Sequence, residues 1–349
     1  MQYSTAIHSQ PQTLYPMSQP SNLHFILNDK DRWQDLLSGD LPIPAEIKHR
    51  IITGEDIWVL LTYLQFRHAG YEVTLGTEAC PDKINVIDGV KSRPKNTFAD
   101  YFYVACRTDA HYPEFGHFVL HQNLIQSGKR NEIYIPQWPQ PGLILRECQR
   151  GNDIKTVAFF GQPKRNLAEV FQSEAFSAEL KNRDIEFIIK GKNNNTVEWH
   201  DYSNVDIVIA VRDVPVELLR IKPVNKATNA WLAGALCITG DEPAITAAFN
   251  SNKAVLHATT IEGVLTIIDH LREKPELFSE LLAEGQKLAR DYSESSVLTY
   301  WTRMEEFVTP EFERWKNTGK AERLINYSRR RVLNRISKST HKWTISRHI

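Results

Sequence analysis

Lys222 and Lys226 stand four residues apart in KPVNKATNAWLAGALCITGDEPA, the run from Lys222 to Ala244. If the run is helical, that spacing puts both ammonium groups on one face, and Pro223 suits a first helical turn. Trp231, Leu232 and Ala235 supply an apolar side, and Gly234 permits close approach or a cap. Two chemistries fit such a pair: an anion bound between the lysines, or a solvated helix face.

A second basic stretch, FFGQPKRNLAEVF (159–171), reads as a strand ending in Gly161, a loop carrying Lys164 and Arg165, and then a helix. A helix N-terminus offers unpaired N–H groups and a favourable field to phosphate, and the two cations add charge-assisted donors. A surface loop facing water is the alternative. The stretch is not a dinucleotide fingerprint, because GxGxxG is absent. Both basic loops fall at strand-to-helix edges of what reads as one sheet, where open α/β sheets bind ligands. That coincidence favours the anion.

In the first half, ACRTDAHYPEFGHFVLHQN (105–123) gathers Arg107, Asp109, His111, His117 and His121 between two strands. On a strand, His117 and His121 lie roughly 13 Å apart, and no third ligand with zinc-like spacing joins them, so no metal is expected there. An Asp or His here could serve as a general base; structural hydrogen bonding is the ordinary role for each. In NDKD (28–31), Asp29 and Asp31 have acid-x-acid spacing, but Asp29 reads better as a helix N-cap than as a metal ligand. Neither GxSxG, a P-loop nor HExxH is present.

The elements that must position these residues alternate between strand-length apolar runs and stretches of helical period, which argues for parallel α/β structure. Strands are expected at 24–27, 71–76, 84–88, 101–107, 117–123 and 132–138. A clear helix is expected over 54–70. PQWPQPG (Pro136–Gly142) can continue neither element and marks a domain boundary. Alternation then restarts, with strands at 156–161, 186–191, 205–211, 236–240 and 255–259 and helices at 261–273, 275–291 and about 295–308. The expected division is a loosely ordered leader (1–20), an α/β unit (21–140), a second α/β unit (141–308) and a basic tail (309–349).

Composition sets the class. The 349 residues are 42% apolar and 24% charged, a globular balance without a transmembrane-length apolar run. The N-terminal stretch lacks the basic-then-apolar order of a signal peptide. Cys80, Cys106, Cys148 and Cys237 are scattered without CxxC spacing, so a cytoplasmic setting is expected. The net charge of zero hides an asymmetry: from Lys320 onward nine Lys or Arg face one acid, Glu322, leaving +8 there and −8 elsewhere. If that segment is helical, Leu324, Ile325, Leu333 and Ile336 could lie in a membrane interface with the arginines at anionic headgroups. A solubilising tail is the alternative, and nucleic acid ranks last.

Taken together, two α/β units, a proline-rich joint and a phosphate-ready second unit resemble the GT-B glycosyltransferases. The KPxxKxxNAWLAG…GDEPA run resembles the donor-site segment of a bacterial group among them. YIPQWPQPGLI, VAFFG, WHDYSNVDIVIAVR and CRTD…HFVLHQN are further landmarks, over roughly residues 55–308. The resemblance implies two Rossmann-like doubly wound domains, the first holding a glycan or lipid-linked acceptor and the second a nucleotide sugar. It implies a hexosyltransferase without cofactor or metal; polysaccharide biosynthesis at the membrane periphery would suit the basic tail, on its charge alone. Carried over residue by residue, Gly161, Lys164, Arg165 and Asn166 would face the diphosphate from one loop. Lys222 and Lys226 would face it from another, with Asn229 close by and Glu242 accepting from ribose or sugar hydroxyls. Fixed cations and helix N-termini would stabilise the departing diphosphate. The paired glutamates of many retaining members are absent: Asn229 occupies the second position, and the first falls near Ile221. If the reaction inverts, Asp109 and His117 are the candidate bases. A sugar-nucleotide-modifying enzyme such as an epimerase, or a catalytically silent scaffold, would share the same architecture.

Overall fold

The computed structural model describes residues 18–90, 99–108, 112–126, 131–193, 196–250 and 252–346. Asp109 and His111 lie outside them. The first unit is built on strands β1 (Gln19–Ile26), β2 (Tyr71–Gly76), β3 (Ile84–Asp88), β4 (Phe102–Arg107), β5 (Phe118–His121) and β6 (Glu132–Tyr134). All pair in parallel, in the order β2-β1-β3-β4-β5-β6. β3, β4 and β5 are buried at every residue, as a parallel sheet covered on both faces requires.

The second unit contains β7 (Thr156–Phe160), β8 (Glu186–Lys190), a two-residue antiparallel pair β9 (Lys192–Asn193) and β10 (Thr196–Val197), then β11 (Ile207–Ala210), β12 (Leu236–Thr239) and β13 (Leu256–His257). Its sheet runs β13-β12-β11-β7-β8, parallel throughout. One core lies on each face. Phe159, Phe171, Phe176 and Ile268 belong to one, and Phe160, Tyr202, Trp231 and Phe249 to the other. The chain is thus a two-domain Rossmann-like arrangement, as the alternation of elements implied.

Several expected elements differ in detail. The helix expected after Gly161 is a single turn, Pro163–Asn166, followed by a 3-10 turn at Glu169–Gln172. The lysine helix spans Asn225–Ala233, so Pro223 precedes it and Lys222 lies outside it. The two lysines therefore do not share a helix face. Gly234 ends that helix at φ +91, its N–H turned back to the carbonyls of Ala230 and Trp231, the glycine stop of a left-handed cap. Asp29 is not a cap: a 3-10 turn begins at Asp31, and the Asp29 carboxylate lies 3.7 Å from Arg32.

The largest difference is at the C-terminus. The helix expected to end near 308 runs through Pro310 to Lys316. Its buried residues Val297, Trp301, Met304, Val308, Phe312 and Trp315 join the core of the first unit, beside Phe25, Trp58 and Phe102. Ser21 Oγ and the Asn22 N–H donate to the Glu305 carboxylate and fix the helix on β1. The stretch set apart as a tail continues as a helix, Lys320–Ser346. Its Tyr327 packs with Ile26, Ile87, Tyr103 and Phe115 on the other face of the first sheet, and the Arg323 guanidinium stacks 3.9 Å over Trp315. No helix among the described residues is long and apolar enough to cross a membrane.

Candidate functional site

The strand order of the second sheet reverses between β7 and β11. Gly161 follows β7 at once and Arg212 follows β11 after Val211, so both stand at the switch point, where open α/β sheets bind ligands. In the first unit, Thr108 follows β4 and Gln122 follows β5. These four residues line one cavity of about 330 Å³, which lies between the carboxyl edges of the two sheets.

Gly161 sits at φ +128, where only glycine is at ease. A Cβ there would meet the Phe159 ring at 3.6 Å and Lys226 Nζ at 3.8 Å. Lys226, in the first turn of its helix, thus reaches the glycine turn after β7, with Nζ 5.6 Å from the centre of the Phe159 ring. Burial, with Arg212 and Lys222 as positive neighbours, pushes its ammonium down to about 7, against a partial opposing pull from Glu242. Lys222 lines the same cavity from the loop before the helix. Asn166 and Asn229 line it as well.

The wall from the first unit is held in place by a buried carboxylate. Asp56 receives the N–H groups of Ile52 and Thr53 at 2.9 and 2.7 Å, the Trp33 indole at 3.1 Å, and an ion pair from Arg32. This fixes the 52–54 segment that faces the cavity. The two units are also joined directly. Gln122 Nε2 donates to the Ile221 carbonyl at 2.9 Å, and Asn123 Nδ2 donates to the carbonyls of Arg220 and Lys222 at 2.7 and 3.2 Å.

Gly161, Asn166, Lys222, Lys226 and Asn229 of the expected set therefore converge. The others do not join them. Lys164 is exposed and borders a separate hollow with Glu169 and Asp213. Arg165 lies in the one-turn helix, its side chain outside the described ones. The Glu242 carboxylate is committed to a buried ion pair with Arg212, both side chains 3% exposed. His117 is packed far from this lining: its ring stacks on Phe102 at 4.2 Å, edge-on to Trp315. Nδ1 accepts the Tyr103 N–H at 3.1 Å. Burial, with Arg330 and Arg323 nearby, holds its pKa well below the usual histidine range. A neutral imidazole so enclosed reaches no group in the cavity.

Sequence reasoning missed Arg212, Gln122 and the connector glutamines Gln137 and Gln140. Arg212 carried a usable signal, a cation just past the end of an apolar strand. The glutamines carried none, since their role depends on how the units face each other. Among the described residues, no group of His, Cys, Asp and Glu is arranged to hold a metal ion.

Chemically, Arg212, Lys222 and Lys226 around a glycine turn at a sheet switch point are groups that can receive an anion, and Trp58, Ile57 and Thr108 line the same cavity from the first unit. No family model matches the chain, and no curated protein matches it. Solved structures do. The pneumococcal O-GlcNAc transferase GtfA, in complex with UDP and GlcNAc, gives a TM-score of 0.50 at 10% identity over 72% of this chain and 60% of that one. HepE of Anabaena, in complex with UDP and glucose, gives 0.49 at 12% identity over 83% and 99%. TarM of S. aureus gives 0.45 at 12% identity over 65% and 55%. This chain spans 55 to 60% of the length of the first three structures it matches. The likeness to GtfA is one of fold.

Proposed function

We propose that the protein is a glycosyltransferase of GT-B type that takes a sugar from a nucleotide-sugar donor, and that the cavity between its units is the donor site. The observation that carries this reading is the convergence of Gly161, Arg212, Lys222 and Lys226 at the switch point of the second sheet. Backbone at a glycine turn approaches a diphosphate closely, and the cations neutralise its charge as it departs. On this reading the fixed cations take the part that a divalent ion plays in other transferases, and no metal is required. Glu242 acts by holding Arg212 in place. Of the two candidate bases, Asp109 follows the cavity-lining Thr108 in the chain, so it is the one assigned to an inverting reaction.

The acceptor reading is a lipid-linked glycan or another cell-surface glycan at an anionic membrane face. Its support is the C-terminal helix, where Leu324, Ile325, Val332 and Leu333 are 53 to 66% exposed and Arg329 and Arg335 are exposed beside them. Amphipathic helices of this kind bind interfaces through apolar burial and attraction to acidic headgroups.

The test is a thermal-shift screen of the full chain against UDP, GDP, ADP and CMP and their sugar conjugates, with and without EDTA. UDP leads the panel because the GtfA complex contains it. One nucleotide should raise the melting temperature, as a ligand that binds only the folded state must, and the shift should survive EDTA. Silence across the panel would remove the donor reading. A shift abolished by EDTA would remove metal independence.

A further inference from the structure

Among the described residues, four aromatic ones line the cavity: Trp58 from the first unit and Phe160, Trp199 and Tyr202 from the second. Three of them are committed to the cores. Trp58 is 2% exposed and lies 6.1 Å from the Trp301 ring. Phe160 and Tyr202, 4% and 1% exposed, stack on each other at 4.2 Å. Trp199 differs. It packs on the core that holds Phe160 and Tyr202, stays half-buried, and has no ring partner among the described residues.

The turn that carries Trp199 is braced from two sides. Lys190, at the end of β8, donates through Nζ to the Asp201 carbonyl at 2.7 Å and to the Asp201 carboxylate at 3.0 Å. That carboxylate also accepts from the N–H and the hydroxyl of Ser203. From the other side, the Ile144 N–H donates to the His200 carbonyl at 2.7 Å, and the Tyr202 N–H donates to the Ile144 carbonyl at 3.0 Å. A ring on so braced a turn is in place before a ligand arrives, which lowers the ordering cost of binding.

Sheet order sets its position relative to the cations. β7 lies between β11 and β8. Arg212 follows β11 and Gly161 follows β7. The Trp199 turn is tied to the end of β8, where a Cβ on Gly191 would lie 3.4 Å from the Gly161 carbonyl oxygen. The glycine turn therefore stands between Arg212 on one side and the indole on the other. Cations suit phosphate oxygens, and a braced indole suits a planar heterocycle. A nucleotide carries both.

We infer that the base of the nucleotide sugar stacks on Trp199, with the diphosphate at the glycine turn. This rests on the nucleotide-sugar reading above. Such a stack adds affinity through ring contact rather than hydrogen bonds, because every base has a π-face.

Calorimetry on the full chain tests it. The best binder among UDP, GDP and ADP is compared with inorganic pyrophosphate, which carries the charge without the base, and with the glucose and N-acetylglucosamine conjugates of that nucleotide. Weak pyrophosphate binding is read by displacement of the nucleotide. Trp199→Leu removes the ring and keeps an apolar side chain. It should weaken the nucleoside diphosphate about tenfold or more and leave pyrophosphate unchanged. Trp199→Phe keeps a ring and should bind the nucleotide within about threefold of wild type. If Trp199→Leu binds the nucleotide as wild type does, if pyrophosphate weakens to the same extent, or if Trp199→Phe restores nothing, the base does not stack there, while the diphosphate site stands. A loss confined to the extra affinity of a sugar conjugate would put the sugar on the indole and overturn the assignment too. Pyrophosphate that fails to displace the nucleotide from the wild type would remove the division into charge and base subsites, and the assignment with it. A wild type that binds no nucleoside diphosphate would remove the underlying reading and this inference together.

Discussion

Lys226 Nζ lies 5.6 Å from the centre of the Phe159 ring and within 3.8 Å of where a side chain on Gly161 would begin. The ammonium is thus held against an aromatic face, beside a turn that has no side chain. Lys226 also lines the cavity, from which an anion can approach the charge. Burial and two positive neighbours make this ammonium easy to deprotonate, and an incoming anion reverses that bias.

A pH dependence follows. In the free protein Lys226 carries its proton below about pH 7 and sheds it above. An anion binds the protonated form and raises the pKa in the complex, so affinity is full below pH 7. Above pH 7 it falls by up to about tenfold per pH unit, until the bound lysine also titrates. Calorimetry with UDP from about pH 6 to pH 9 in buffers of different ionisation enthalpy should show net proton uptake on the alkaline side. Lys226→Arg should bind with a flat profile, and Lys226→Met should bind weakly at every pH. An uptake unchanged in Lys226→Arg would place the titrating group elsewhere.

Gly161→Ala probes the turn itself. The added methyl has room, with nothing closer than 3.6 Å, so the cost is backbone strain at φ +128 rather than collision. We expect a loss of about 1–3 kcal/mol of stability, read as a lower urea midpoint, and weaker nucleotide binding as the turn relaxes. Unchanged stability would mean that the turn adopts another conformation.

His117 gives an acid-side signature. Its ring stays neutral in the folded state, while in the unfolded chain it titrates near its ordinary value of 6.5. Below that value the unfolded state takes up a proton that the folded state refuses. Stability should therefore fall as pH drops through 6.5, with a slope of up to about 1.4 kcal/mol per pH unit. His117→Phe keeps an aromatic ring against Phe102 and should reduce the slope between about pH 7 and pH 5.5, leaving the share of His24 and His200, whose pKa values burial also lowers. Its baseline should be lower, because the Tyr103 N–H loses its acceptor. An equally steep slope in the variant would assign the effect to other groups.

The fold was legible where a single element decides its own shape. β2 and β3 fall on the expected residues, as does the helix Ile261–Glu273; apolar runs and helical period suffice there. The candidate site was legible only in part. Lys222 and Lys226 converge, but through a loop and a helix rather than along one helical face, because Pro223 lies before the helix begins. Gln122 and Gln140 owe their places to contacts between units, which leave no periodic trace in the chain, whereas Arg212 stands just past its own strand and pairs with Glu242 of the same unit. Pro310 reads as a helix end, yet the helix continues. A proline in a helix interior costs about 3 kcal/mol. Burying Phe312 and Trp315 beyond it contributes about 1.5–3 kcal/mol for the phenylalanine alone.

The junction between units offers a further expectation. Asn123 is 2% exposed and holds the carbonyls of Arg220 and Lys222, which fixes the loop that presents Lys222 to the cavity. Asn123→Ala should weaken nucleotide binding roughly tenfold, as its hydrogen bonds to two partly buried carbonyls are lost. Small-angle scattering should show a larger radius of gyration that nucleotide partly restores. A variant as compact and as tight-binding as the wild type would show that the loop is held without Asn123.

The membrane expectation must be tested without removing the helix. Deleting residues 320–349 would also strip Tyr327 from the core it shares with Tyr103 and Phe115, and Arg323 from Trp315, so lost binding could reflect a damaged first unit. Replacing Leu324, Ile325, Val332 and Leu333 together by serine changes only side chains that are more than half exposed. Wild type should co-sediment with vesicles containing acidic lipid and be released as salt rises, since attraction to anionic headgroups is screened within a Debye length. The fourfold variant should stay in the supernatant with an unchanged melting temperature. Wild type that ignores acidic vesicles, or a variant that binds them equally well, would remove the membrane from the acceptor reading and leave the donor site untouched.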